Sequence, residues 1–208
     1  MLRRIWLTVL FAVLLTGCSS TPAVPTATPG IPGVKPVSPP VQVENFTLTG
    51  MNGSPAHLKD FEGKSVLMVF GYTHCPDICP VTLARFKQIK QLLGADADKV
   101  QFIFVSVDGN RDTPERLTEY LGLFDKDFFG LTGSEDEARA VITLFDGVFT
   151  IKDAEGLRKD YLVEHTASSF LMDAEGRWVR TYEYNTDPNI VATDMLKVIS
   201  SPSATSSS

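Results

Sequence analysis

The sequence predicts an α/β fold, and three observations carry that prediction. Two apolar runs, Val66–Phe70 without a break and Phe102–Val107 with only Ser106 in it, have the length and composition of strands covered on both faces. Segments of helical periodicity, with recognisable start signals, alternate with them. A final pair of short apolar segments around a turn adds a terminal hairpin, completing an α/β sandwich.

Taken in order, Phe46-Thr47-Leu48-Thr49 alternates apolar and polar residues, Asn52-Gly53 is a turn dipeptide, and Ala56-His57-Leu58 returns. This is an N-terminal β-hairpin. Val66–Phe70 follows as a central strand. Beyond the loop Gly71–Pro80, Leu83, Phe86, Ile89 and Leu93 recur at helical spacing and stop at Gly94. After Phe102–Val107, Thr113 suits an N-cap and Pro114 the first helical position of a helix running toward Phe124. Ser134 with Glu137 forms a capping box ahead of Ala138, Val141, Ile142 and Phe145. Strands near Ser168–Met172 and Trp178–Tyr182 flank the turn Asp173-Ala174-Glu175-Gly176, and Asp187–Ile199 reads as a closing helix. Residues 42–200 form one continuous globular segment of single-domain size.

With 43% apolar and 21% charged residues in 208, the chain is neither collagen-like, wholly disordered nor a polytopic membrane protein. Its 25 acidic against 19 basic residues argue against a phosphate-binding surface, so nucleic acid is not expected as a partner. Three cysteines are too few for a disulfide-dense scaffold.

Arg3 and Arg4 precede the apolar run Ile5–Leu15, too short for a mature transmembrane helix of about 20 residues. The run ends in Leu15-Thr16-Gly17-Cys18, which resembles the bacterial lipobox. Residues 1–17 are therefore expected to be a lipoprotein signal peptide, and Cys18 the lipidated residue rather than a metal ligand. The mature chain would be extracytoplasmic and lipid-anchored to the outer face of the cell membrane, on the periplasmic side in a diderm. Ser19, by the sorting pattern of diderms, does not retain a lipoprotein at the inner membrane. Residues 18–41 are expected to be the lipidated Cys and a flexible linker, since seven of the chain's thirteen prolines fall there. Residues 201–208 read as a disordered tail.

The chemistry sits in Gly71-Tyr72-Thr73-His74-Cys75-Pro76-Asp77-Ile78-Cys79-Pro80, a loop between a buried strand and a helix. Open α/β sheets display reactive groups at that end of a strand. If the helix begins near Pro76, Cys75 and Cys79 share one face, and the helix N-terminus favours their thiolates. Such a pair admits a structural disulfide, a redox-active dithiol or a soft-metal site, and spacing alone does not choose. His165, in Tyr161-Leu162-Val163-Glu164-His165-Thr166, supplies a further donor. Two thiolates and an imidazole make a three-coordinate site suited to Cu(I), with room for a weak fourth ligand in Cu(II). A structural zinc site wants four protein ligands. Asp77, between the cysteines, can tune thiolate charge, meet a partner or stabilise the helix start, and Glu164 is placed with it as an outer-sphere carboxylate. His74 is expected to be outer-sphere or solvent-facing and His57 incidental. Asp108, Arg111 and Asp112 read as loop and helix-start contacts.

The run Val69 to Pro80 resembles the signature of the SCO/SenC family of copper-binding cytochrome oxidase assembly factors. Val105-Ser106-Val107-Asp108 leading to Arg111-Asp112-Thr113-Pro114, and Tyr161 to Thr166, match the same family in order. The chain departs from the usual pattern at Glu164, where the family carries Asp, and at Gly109-Asn110, where it carries Pro. The resemblance implies a thioredoxin-like fold, a central mixed sheet flanked by helices. It places the family's ligands on Cys75, Cys79 and His165, holding one copper, Cu(I) or Cu(II). It implies help in assembling the binuclear copper (CuA) centre of cytochrome c oxidase subunit II, with another copper chaperone as a possible donor. Two roles stay open. One is a metallochaperone that is not an enzyme. The other is a thiol-disulfide oxidoreductase that reduces the oxidase's cysteines with Cys75 and Cys79 as its redox-active dithiol. The usual surroundings of a thiol peroxidase cysteine are absent.

Overall fold

The computed structural model describes residues 30–152 and 160–200. The leader, Cys18 and the tail lie outside them.

Ten strands and four helices follow one another as β1 (Val34–Gln42), β2 (Thr47–Gly50), β3 (Pro55–His57), β4 (Ser65–Gly71), α1 (Ile78–Leu93), β5 (Val100–Ser106), α2 (Pro114–Gly122), β6 (Phe129–Thr132), α3 (Glu135–Thr143), β7 (Phe149–Lys152), β8 (Leu162–His165), β9 (Ser169–Met172), β10 (Arg177–Tyr182) and α4 (Pro188–Ser200). Eight strands form one sheet in the order β1-β10-β9-β4-β5-β6-β2-β3. The sheet is mixed: β4, β5 and β6 run parallel, whereas β9 is antiparallel to β4 and β10 to β9. Helices flank it, with α1 packed on α4 and α2 on β6.

The strand that periodicity marked as central is central. Every residue of β4 is buried, as expected where neighbouring strands and helices cover both faces. The helix starts also follow their local chemistry. Thr113 Oγ1 accepts from the Arg116 N–H at 3.2 Å with Pro114 at N1, and Ser134 and Glu137 close their capping box. The hairpin pairs Thr47 with His57 and Thr49 with Pro55. Four aromatic side chains, Phe70, Phe145, Phe170 and Trp178, pack with centroids 5.1–6.0 Å apart and join β4, β9 and β10 to the turn after α3.

Four strands differ from the sequence reading. Residues 34–41, expected within the flexible linker, form β1, which pairs antiparallel with β10 from Val34 opposite Tyr182 to Gln42 opposite Arg177. The prolines do not prevent this because β1 is an edge strand with one neighbour, and the register breaks between Pro36 and Val41. Strands β6, β7 and β8 stand outside the sequence reading because each mixes apolar with polar residues or glycine over four positions and has no unbroken apolar run to mark it. In β6, Gly130 also lacks a side chain because a Cβ there would come within 2.9 Å of Leu121.

Strands β7 and β8 make a ribbon of their own, paired from Phe149 opposite His165 to Lys152 opposite Leu162 and outside the main sheet.

A chain starting at Gln42 is expected to be less stable than one starting at Gly30 by about 2 kcal/mol or more, the burial of Val34 together with lost ladder bonds. Urea unfolding checks this, and equal midpoints would contradict a structural role for β1.

Candidate metal centre

The carboxyl end of β4 sets the site. Gly71 closes the strand, its carbonyl accepting from the Val107 N–H at 2.9 Å, and the chain turns so that the Cys75 N–H donates to the Tyr72 carbonyl at 3.2 Å. Helix α1 begins at Ile78, not near Pro76, so Cys75 stands in the turn before the helix and Cys79 in its first turn. The sulfurs converge through the turn rather than along a helix face: the Cys79 N–H points at Cys75 Sγ, 3.5 Å away. Gly71 makes room for them. A Cβ at that position would lie 2.8 Å from Cys79 Sγ and 2.6 Å from the Phe104 ring, closer than such atoms tolerate.

His165 arrives from the ribbon at the end of β8. Its Nε2 lies 3.5 Å from Cys79 Sγ, and its Nδ1 lies 3.1 Å from the Thr166 carbonyl. A proton on Nδ1, donated to that carbonyl, leaves the Nε2 lone pair facing the sulfurs. The ligand atoms of Cys75, Cys79 and His165 all lie within 4.8 Å of one another. The Tyr72 ring meets the imidazole edge-on, with centroids 6.0 Å apart.

The two sulfurs are not equivalent. Half-buried Cys75 is pulled down to about 5, chiefly by the hydrogen bond from Cys79, against an opposing effect of burial and with help from the backbone N–H groups of Asp77 and Cys79. Buried Cys79 is pushed up by the same hydrogen bond and by desolvation. The metal-free pair is thus one thiolate and one thiol, not the two thiolates expected from the helix N-terminus. A thiophilic cation bound by both would displace the remaining proton.

The segment between β5 and α2 frames the site with two buried carboxylates. Asp112 accepts from the Thr73 N–H at 2.9 Å, the Thr73 hydroxyl at 2.7 Å and the Ser106 hydroxyl at 2.6 Å. It ties the cysteine loop to β5. Asp108 accepts from the Tyr161 hydroxyl and, at 2.5 Å, from Arg111 Nε. Read from sequence as loop contacts, these residues do make such contacts, but they reach both ligand-bearing segments. Gly71, Tyr72 and Tyr161 were not singled out by the sequence. For Gly71 the available signal was a glycine at the end of a buried strand just before the cysteine loop.

Other expected residues sit further out. Asp77 is the exposed residue before α1 and makes no side-chain cap, so its documented contribution is its backbone N–H toward Cys75. Glu164 does not reach the sulfurs. Adjacent strand residues face opposite ways, and its carboxylate pairs at 3.1 Å with Lys152 on the outer face of the ribbon. His74 is exposed and contacts Thr73 Oγ1 at 3.2 Å, while His57 hydrogen-bonds Thr47 on the hairpin.

The donor set, two sulfurs and an imidazole nitrogen on partly buried side chains, fits a soft monovalent or small divalent cation better than calcium or magnesium. The SCO1/SenC family model matches residues 35–200. The chain belongs to the SCO1/SenC family. Mitochondrial protein SCO2 of Saccharomyces cerevisiae is 38% identical over 143 residues, covering 68% of this chain and 48% of the yeast protein. The chain therefore spans about half the length of that relative. Bradyrhizobium japonicum ScoI, solved with copper bound, is 38% identical and superposes with a TM-score of 0.69, covering 76% of this chain and 100% of that one. A SCO1/SenC family lipoprotein of Bacillus anthracis is 26% identical with a TM-score of 0.67, covering 78% and 98%. The fold is thus the Sco type of the thioredoxin-like class. Among the described residues, no helix is long and apolar enough to cross a membrane.

Alkylation of the metal-free, reduced protein is expected to modify Cys75 and spare Cys79 at neutral pH. Its rate should rise through about pH 5 and level off above, because the thiolate forms as pH passes the depressed value. A rate that keeps climbing to pH 8.5 would contradict the assignment.

Proposed function

We propose that this protein is an extracytoplasmic copper chaperone, anchored to the outer face of the cell membrane through a lipidated Cys18, that binds one copper through Cys75, Cys79 and His165. It serves assembly of the CuA centre of cytochrome c oxidase subunit II, taking its copper from another chaperone. The observation that carries this reading is the convergence of two sulfurs and one imidazole nitrogen within 4.8 Å. The copper-bound Bradyrhizobium relative supports the choice of metal, and the lipobox together with the Bacillus lipoprotein supports the anchor.

Copper is cargo here, so the site must both hold and release it. Three ligands suffice for Cu(I) without enclosing it. Cys75 is half-buried on the exposed turn, whereas Cys79 is buried against Gly71 and Phe104. An incoming thiolate therefore meets Cys75 first. Exchange proceeds by one ligand at a time, with Cys79 and His165 retaining the ion until the acceptor supplies its second donor.

A second reading has its own observation. A cysteine depressed to about 5 beside a buried thiol is also the arrangement of an attacking and a resolving cysteine. In that reading the protein reduces the cysteines of the oxidase copper site, and His165 has no necessary part.

Anaerobic titration of the reduced protein against a Cu(I) competitor separates the two. One-to-one binding is expected, with affinity falling at least about tenfold in each of Cys75→Ala, Cys79→Ala and His165→Ala. Binding indifferent to His165, with dithiol reductase activity intact, would favour the second reading.

A further inference from the structure

The ribbon β7–β8 carries His165, yet among the described residues no backbone ladder joins it to the eight-stranded sheet. Side chains hold it. Phe149 and Val163 are buried beneath it, and Arg139 covers the Phe149 ring at 4.3 Å while donating to the Phe149 carbonyl at 3.3 Å. At its other end the Tyr161 hydroxyl donates to the buried carboxylate of Asp108, a bond to an ionisable acceptor and so stronger than an ordinary neutral one. Arg111 completes the arrangement. Its Nε donates to the same carboxylate, and its guanidinium lies 3.6 Å from the centroid of the Tyr161 ring and 5.6 Å from that of Tyr72. Its buried Nη2 finds no hydrogen-bond partner; the aromatic faces are its surroundings. The Val163 N–H is directed at the Tyr72 hydroxyl, and the Tyr72 ring abuts His165.

We propose that Tyr161, Asp108 and Arg111 form a latch that docks the His165 ribbon, making them positioning residues that set whether the site presents three ligands or only the cysteine pair. The inference rests on the copper reading of the site, since His165 matters through the ion it would hold. Tyr161 lies four residues before His165, about 13 Å along an extended strand, so release at Tyr161 loosens β8 from the end away from the sulfurs while Phe149 and Val163 stay seated beneath the ribbon. Cys75 and Cys79 are untouched by that release. Their loop is held separately, by Asp112 through Thr73. One short segment, residues 106–116, thus fixes the two halves of the site by different carboxylates.

Tyr161→Phe in the full-length protein tests this, because it removes the hydroxyl and keeps the ring. In the metal-free state, hydrogen exchange at Val163 to His165 is expected to accelerate about tenfold or more while α1 and β4 keep their rates. With Cu(II) added, the sulfur-to-copper charge-transfer bands should move from the wild-type positions toward those of His165→Ala. Unchanged ribbon exchange with a wild-type spectrum would overturn the latch. So would acceleration spread evenly over the fold, which would make Tyr161 a general stabilising residue. The underlying reading is decided separately: charge-transfer bands that do not respond to His165→Ala in an otherwise wild-type chain would remove His165 from the copper site whatever the ribbon does.

Discussion

The metal centre depends on a pair of buried carboxylates four residues apart. Asp108 and Asp112 leave the end of β5 on the same short connection, and each is almost completely withdrawn from water. A carboxylate in that position is costly unless its oxygens are hydrogen-bonded. Burial raises the Asp108 pKa, against the opposing hydrogen bonds from Tyr161 and Arg111. Asp112 is met by three donors from Thr73 and Ser106. The need to satisfy these oxygens orders the two segments that carry the ligands.

That arrangement explains how residues 86 apart in sequence, Cys79 and His165, come within 3.5 Å. The parallel pair β4 and β5 delivers the cysteine loop and the carboxylate segment to the same sheet edge, as parallel α/β topology requires. His165 comes from outside the sheet, on a ribbon that, among the described residues, pairs with none of its strands. The sulfur pair stands on connections of the sheet itself, and the imidazole stands on a ribbon that reaches the same point through side-chain contacts.

Much of this was legible in the sequence. Val66–Phe70 and Phe102–Val107 announced the buried parallel strands through runs of apolar residues, and Thr113-Pro114 and Ser134–Glu137 announced helix starts through capping chemistry, because both signals are local. The cysteines and His165 were legible as scarce, chemically apt residues, and the family resemblance joined them. What was not legible is tertiary. Strands β6, β7 and β8 are held by neighbours rather than by pattern. The edge strand β1 hides behind prolines that an edge tolerates. Glu164 looked like an outer-sphere group from its place beside His165, but strand alternation turns it toward Lys152. The unequal protonation of Cys75 and Cys79 follows from their contact with each other, which no spacing rule contains.

Two sulfurs and one imidazole nitrogen around one ion are what the proposed site amounts to. X-ray absorption at the copper edge of the Cu(I)-loaded protein measures that directly. The expected result is a shell of two sulfur scatterers and one nitrogen, with the outer-shell signature of an imidazole that disappears in His165→Ala. A shell of sulfur alone, indifferent to His165, would contradict it.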